Sequence, residues 1–159
     1  MENGRWPRSV CNGWKADIAP EAALALIARM ANGPARAEFW KEFVTARSGY
    51  PAPERLRAQL AEAEFADFCD CGCNSFSVKA TNGTPPLTPG HDGPGHRAIY
   101  EAEFKMADER TLEVILFANC DGDLDYIEVD CCANSYPVPD VIEADAQPFH
   151  TRASERLLP

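Results

Sequence analysis

No run of the chain approaches the ~20 consecutive apolar residues that a membrane-spanning helix needs, which excludes an integral helical membrane protein. The opening residues, Met1-Glu2-Asn3-Gly4-Arg5-Trp6-Pro7, lack the apolar core of a secretory signal, so the expected location is the cytoplasm. Basic charge is scarce after residue 60, where six Lys/Arg face nineteen Asp/Glu, a balance of −13; the first sixty residues carry nine against six. Such a field disfavours nucleic-acid backbones and anionic membranes. Internal repeats are absent, and nothing matches a nucleophile elbow, a phosphate loop or a metalloprotease helix. Without a complete catalytic set, the sequence reads as a non-enzymatic binding protein.

What is present is a 159-residue chain, long enough for one domain with a substantial core and no need of disulfide staples. Its seven cysteines, at 11, 69, 71, 73, 120, 131 and 132, form an odd set without an export signal. That argues against a disulfide framework and for mostly free thiols.

The pattern of apolar residues changes period part-way along. Residues 1–15 have turn-forming composition and read as a loose tail. Pro20 and Glu21 then mark a helix start, and Leu24, Ile27 and Ala28 recur at helical spacing until Asn32-Gly33, which predicts a helix over 20–31. Pro34 opens a second helix, 34–47, whose Phe39, Trp40, Phe43 and Val44 form a stripe suited to a core. Pro53 opens a third, 53–64, with Leu56, Leu60 and Ala63 on one face.

Beyond it the period becomes two. Strands are expected over 74–80, 98–106, 111–119 and 124–132, the third apolar on both faces as a covered central strand would be. Residues 81–97, rich in Gly and Pro, read as a long exposed loop. Asp121-Gly122-Asp123 supplies a hairpin turn. Pro137, Pro139 and Pro148 make 140–159 an extended arm or tail. The expected fold is a single α+β domain over 16–139: three N-terminal helices packed on a four-stranded, mainly antiparallel sheet.

Two groups of residues bear on function. Cys69, Cys71 and Cys73 stand at alternate positions around Gly72; a straight strand keeps their thiols about 6.7 Å apart, whereas a bend at Gly72 brings them together. Bent, they offer three thiolates to zinc or another soft metal, with a fourth ligand from His91, His96, Cys131 or Cys132. The spacing differs from the usual two residues between paired zinc cysteines, and small buried cysteines at a strand edge explain the same pattern. Asp121, Asp123, Asp125, Glu128 and Asp130 form the second group. They suit an acidic surface for a basic protein partner, as in an immunity-type or regulatory protein. Their spacing departs from a calcium loop, because glycine stands second and a strand follows.

The segments Arg55–Leu60, Cys69–Phe76, Leu112–Phe117 and Asp121–Val129 together resemble a group of small uncharacterised bacterial proteins in which a helix leads into a Cys-Gly-Cys segment and an acidic hairpin follows. The resemblance covers roughly 53–140 and implies an α+β fold without assigning an activity. On function the leading expectation is the acidic binding protein, with no cofactor; the alternative is a zinc protein centred on the three cysteines.

Overall fold

The computed structural model describes residues 23–27 and 32–159. Helix α1 spans Pro34–Arg47 and α2 spans Pro53–Ala61, each with proline in its first turn, where the missing N–H costs nothing. In α1, Trp40, Phe43 and Val44 of the expected stripe are buried, Phe39 is half-buried, and Arg36 and Ala37 are buried beside them. Phe43 meets Phe104 edge to face at 5.0 Å, which seats the helix on the sheet.

The sheet has six antiparallel strands: β2 (Glu64–Ala66), β3 (Phe76–Lys79), β4 (Arg97–Lys105), β5 (Thr111–Ala118), β6 (Leu124–Cys131) and β8 (His150–Ala153), in the order β2-β3-β6-β5-β4-β8. Register explains its core face. Tyr100, Ala102 and Phe104 pair with Leu116, Val114 and Leu112, and these pair with Ile127, Val129 and Cys131. Ile127 in turn pairs with Phe76. All of these are buried, so period-two alternation delivers one continuous apolar layer.

A second, two-stranded antiparallel sheet joins β1 (Ala23–Ile27) to β7 (Val141–Asp145). Met106, just beyond β4, bridges to Ala144, which ties this ribbon to the larger sheet.

The α+β class is as expected, with four corrections. The helix expected over 20–31 is a strand where it is described, at 23–27; 20–22 and 28–31 lie outside the described residues, as does the tail expected over 1–15. Ala and Leu carry high helix propensity, but pairing with a distant strand outweighs a few tenths of a kcal/mol per residue. The helix expected over 53–64 stops at Ala61, and its last expected residue, Glu64, begins β2, whose Phe65 packs on Phe76 at 5.3 Å. The arm expected over 140–159 contributes β7 and β8, because its prolines stand between the strands and not within them. The four strands are therefore six, with β2 and β8 at the edges. Among the described residues no helix is long and apolar enough to cross a membrane.

The loop over 81–96 is anchored. Leu87 is fully buried and donates its N–H to Gly122 O at 2.8 Å, while His91 N–H donates to Cys120 O at 2.8 Å.

Candidate metal centre

The segment after β2 must turn before β3 can begin, and Gly72, at φ 102°, makes the turn. A Cβ there would lie 3.3 Å from Pro137 Cβ, so glycine serves both the left-handed backbone and a close approach. Across the loop Cys69 N–H donates to Ser75 O at 3.0 Å. Asn32 Nδ2 donates to the carbonyls of Cys69 and Ser75, at 2.7 and 3.3 Å. From α1, Arg36 donates to Asn74 Oδ1 at 2.9 Å and pairs with Asp140 at 3.2 Å. On the remaining sides Asn74 N–H donates to Val129 O and Val138 N–H to Gly72 O. A short loop is thereby held from four directions.

The bend brings the thiols together. Cys69 Sγ lies 2.7 Å from Cys71 Sγ, Cys71 Sγ lies 3.2 Å from Cys73 Sγ, and all three fall within 4.8 Å of one another. These are free thiols, the first contact being well beyond the ~2.05 Å of a disulfide. Burial grades across the group: Cys71 is exposed, Cys69 half-buried and Cys73 buried. Hydrogen bonding with Cys69, and then with Cys73, holds the Cys71 thiol below its ordinary value. Burial pushes Cys73 in the opposite direction, up to about 12.

The proposed fourth ligands stand elsewhere: none of His91, His96, Cys131 or Cys132 joins the 4.8 Å group. Cys131 is in the core opposite Leu112, its thiol pushed up to about 11 by burial. Cys132 is disulfide-bonded; the five other described cysteines are free. His96 stacks on Tyr126, ring centroids 5.6 Å apart, and its Nδ1 lies 3.5 Å from Asp125 Oδ2. His91 lines a separate cavity with Arg97 and Arg156.

The acidic five do not form one exposed patch. Asp121 is exposed in the turn, where Asn119 Oδ1 accepts from the backbone N–H groups of Asp121 and Asp123. Asp123 accepts from Gln59 Nε2 at 2.9 Å, Asp125 faces His96, Glu128 is half-buried and Asp130 is buried. Burial raises the Asp125 carboxyl, and the nearby His96 opposes the shift.

A feature not singled out from the sequence lies on the sheet face away from α1. Glu103 pairs with Glu113 and Glu113 with Asp130, and Glu101 lies on the same face. The exposures of Glu101, Glu103, Glu113 and Asp130 are only 4%, 4%, 2% and 2%. One carboxylate oxygen from each of the three glutamates lies within 4.8 Å of the others. Alternation of Glu101 and Glu103 with Tyr100, Ala102 and Phe104 is the signal, but it reads equally as a solvated face.

Burial, then the charge of Glu103, raises the Glu101 carboxyl above its ordinary 4.5, with Arg152 and His150 opposing and Asp130 adding a little. Because the folded value is the higher one, the stability this group contributes is fully present below the ordinary value and is lost as pH rises through the raised one. Glu101→Gln is therefore expected to be more stable than the wild type at neutral pH and to flatten the stability-versus-pH curve between neutrality and the ordinary carboxyl range. Urea denaturation at stepped pH checks this; an unchanged slope would refute it.

No protein-family model, curated protein or solved structure matches the chain at a significant level. The arrangement of its own side chains is what bears on function.

Proposed function

We propose that this protein binds a soft metal ion, zinc, through the thiolates of Cys69, Cys71 and Cys73. The observation that carries the reading is convergence: three sulfurs that a straight strand would hold apart lie within 4.8 Å on one braced loop. With Zn–S bonds of about 2.3 Å, tetrahedral ligation needs sulfurs about 3.8 Å apart, so the ion would spread the 2.7 and 3.2 Å contacts modestly. Exposed Cys71 can move to permit it, and solvent takes the fourth position. Thiolate ligands select zinc or copper(I) over hard cations.

Protonation supports the same reading. Cys73 is buried, and a lone thiolate there is costly; a cation in contact with it offsets that cost and displaces its proton. Binding is therefore expected to release protons and to tighten as pH rises.

The test is titration of the reduced apoprotein with cobalt(II), followed by displacement with zinc and elemental analysis. One equivalent should bind with tetrahedral thiolate absorption, and the Cys69→Ser/Cys71→Ser/Cys73→Ser variant should bind none. Cys120→Ser, which alters an exposed free thiol outside the triad, should bind as the wild type does. Failure of the wild type to take up metal, or uptake by the triple variant, would reject the site, and failure of zinc to displace the cobalt would reject the choice of ion.

A further inference from the structure

We propose that a cavity at the start of β4 binds a small phosphate monoester. The cavity, about 420 Å³, lies between the anchored loop, the first residues of β4 and the segment after β8. A more open cleft of about 580 Å³ shares His91, Arg97 and Arg156 with it. The inner volume falls within the range of small-molecule sites.

Three features define the ligand. Arg97 and Arg156 line both spaces, and among the described residues neither guanidinium has an ion pair or side-chain hydrogen bond. Two unengaged guanidiniums on the same cavity, in a part of the chain with a balance of −13, constitute local positive charge against the prevailing field. Two guanidiniums offer more donors than a single carboxylate accepts side-on, whereas a phosphate monoester presents three terminal oxygens and about −1.5 to −2 charge at neutral pH.

The second feature is His91. Its Nδ1 lies 3.2 Å from Asp92 O, and since a carbonyl only accepts, Nδ1 carries a proton. Nε2 is buried and, among the described residues, has no partner. In the neutral ring that atom accepts; a turn of the ring toward the cavity that His91 lines would present it to a ligand, where it matches the P–OH of a phosphate monoanion. In that arrangement one proton is shared between ring and phosphate, which a carboxylate ionised at neutral pH has no counterpart for.

Third, Pro89, Ile99 and Ala118 give the inner cavity an apolar wall, which suits the organic part of an ester over inorganic phosphate. Glu155 lines the inner cavity and Asp92 the outer cleft, so these carboxylates set a limit on how much anionic charge the site takes.

Isothermal titration with phenyl phosphate, inorganic phosphate and benzoate at constant ionic strength tests the assignment. Phenyl phosphate should bind most tightly, inorganic phosphate more weakly and benzoate least. Arg97→Gln and Arg156→Gln should each weaken phenyl phosphate by about ten-fold or more, the loss expected for a charge-assisted contact. Both arginines are exposed, so the variants should melt with the wild type. Absence of phenyl phosphate binding, affinity unchanged in both arginine variants, or benzoate binding as tightly would each overturn the proposal.

Discussion

Trp40→Ala should remove about 3–5 kcal/mol of stability, the range for deleting a large buried aromatic side chain. Trp40 is fully buried in α1 and sits at the centre of an aromatic group: Phe39 meets it edge to face at 4.9 Å and Phe43 at 5.3 Å. Phe43 carries the contact onward to Phe104 of β4. The loss thus falls on the junction of helix and sheet, where a cavity cannot collapse without moving one of them. Domains of this size hold only about 5–15 kcal/mol in total, so the variant should be marginal.

Trp40→Phe separates packing from polarity. Among the described residues the buried indole Nε1 has no hydrogen-bond partner, a cost of about 1–3 kcal/mol that phenylalanine does not carry. The phenylalanine variant should therefore lose less than half of what alanine loses. Urea midpoints for the three proteins decide it. Equal losses in the two variants would mean that Nε1 is satisfied in solution, and an alanine loss under about 1 kcal/mol would contradict the buried junction.

Gly122→Ala is the second large effect. Gly122 has φ 87°, and a Cβ built on it would lie 1.9 Å from Thr88 O and 2.9 Å from Thr88 C. Both atoms are backbone, so relief requires the anchored loop to retreat from the β5–β6 turn. The bonds from Leu87 and Thr88 N–H to Gly122 O, at 2.8 and 3.3 Å, would be lost with it.

Gly83 supplies the control. Its φ is 88°, nearly the same, but a methyl group placed on it would meet nothing within 4 Å. Gly83→Ala should show only the left-handed backbone cost, about 1–2 kcal/mol. Gly122→Ala should exceed it by a further ~2 kcal/mol or more, the sum of steric displacement and broken hydrogen bonds. It should also expose the amides of Leu87 and Thr88 to hydrogen exchange. Equal losses at the two glycines would show that the loop does not press on the turn.

Much of this architecture is legible from pattern alone. Alternation over 98–106, 111–119 and 124–132 locates three central strands to within a residue or so, because one face of each has to be apolar for the sheet to pack. Pro34 and Pro53 locate both helix starts. The edges are harder to read. β2 has three residues and β8 four, too short to show a period, and β8 pairs with β4, about fifty residues earlier in the chain.

The same division applies to the sites. Cys69, Cys71 and Cys73 are candidates on composition and spacing, and Gly72 is recognisable as the residue on which convergence turns. Sequence spacing does not supply the fourth ligand, and the long-range suggestions at His91, His96, Cys131 and Cys132 are placed outside the group by the folding of other segments. The acidic residues of the hairpin read in sequence as one surface, yet strand alternation and the contacts of Gln59 and His96 divide them among exposed, half-buried and buried settings. The cavity lined by Arg97, Arg156 and His91 has no sequence signature, since its residues come from separated stretches of the chain.

By itself, then, the sequence determined the α+β class, the central strands, the starts of the two helices and Gly72 as the residue at which a bend was possible, because these follow from local propensity, periodicity and backbone freedom. Tertiary structure alone decided that 23–27 is a strand, that the C-terminal segment extends the sheets, that the three thiols converge, and that two arginines and a histidine share one cavity. Those outcomes depend on which distant segment supplies a strand's hydrogen bonds or a side chain's neighbours, and that information lies in the packing of the whole chain and not in any window along it.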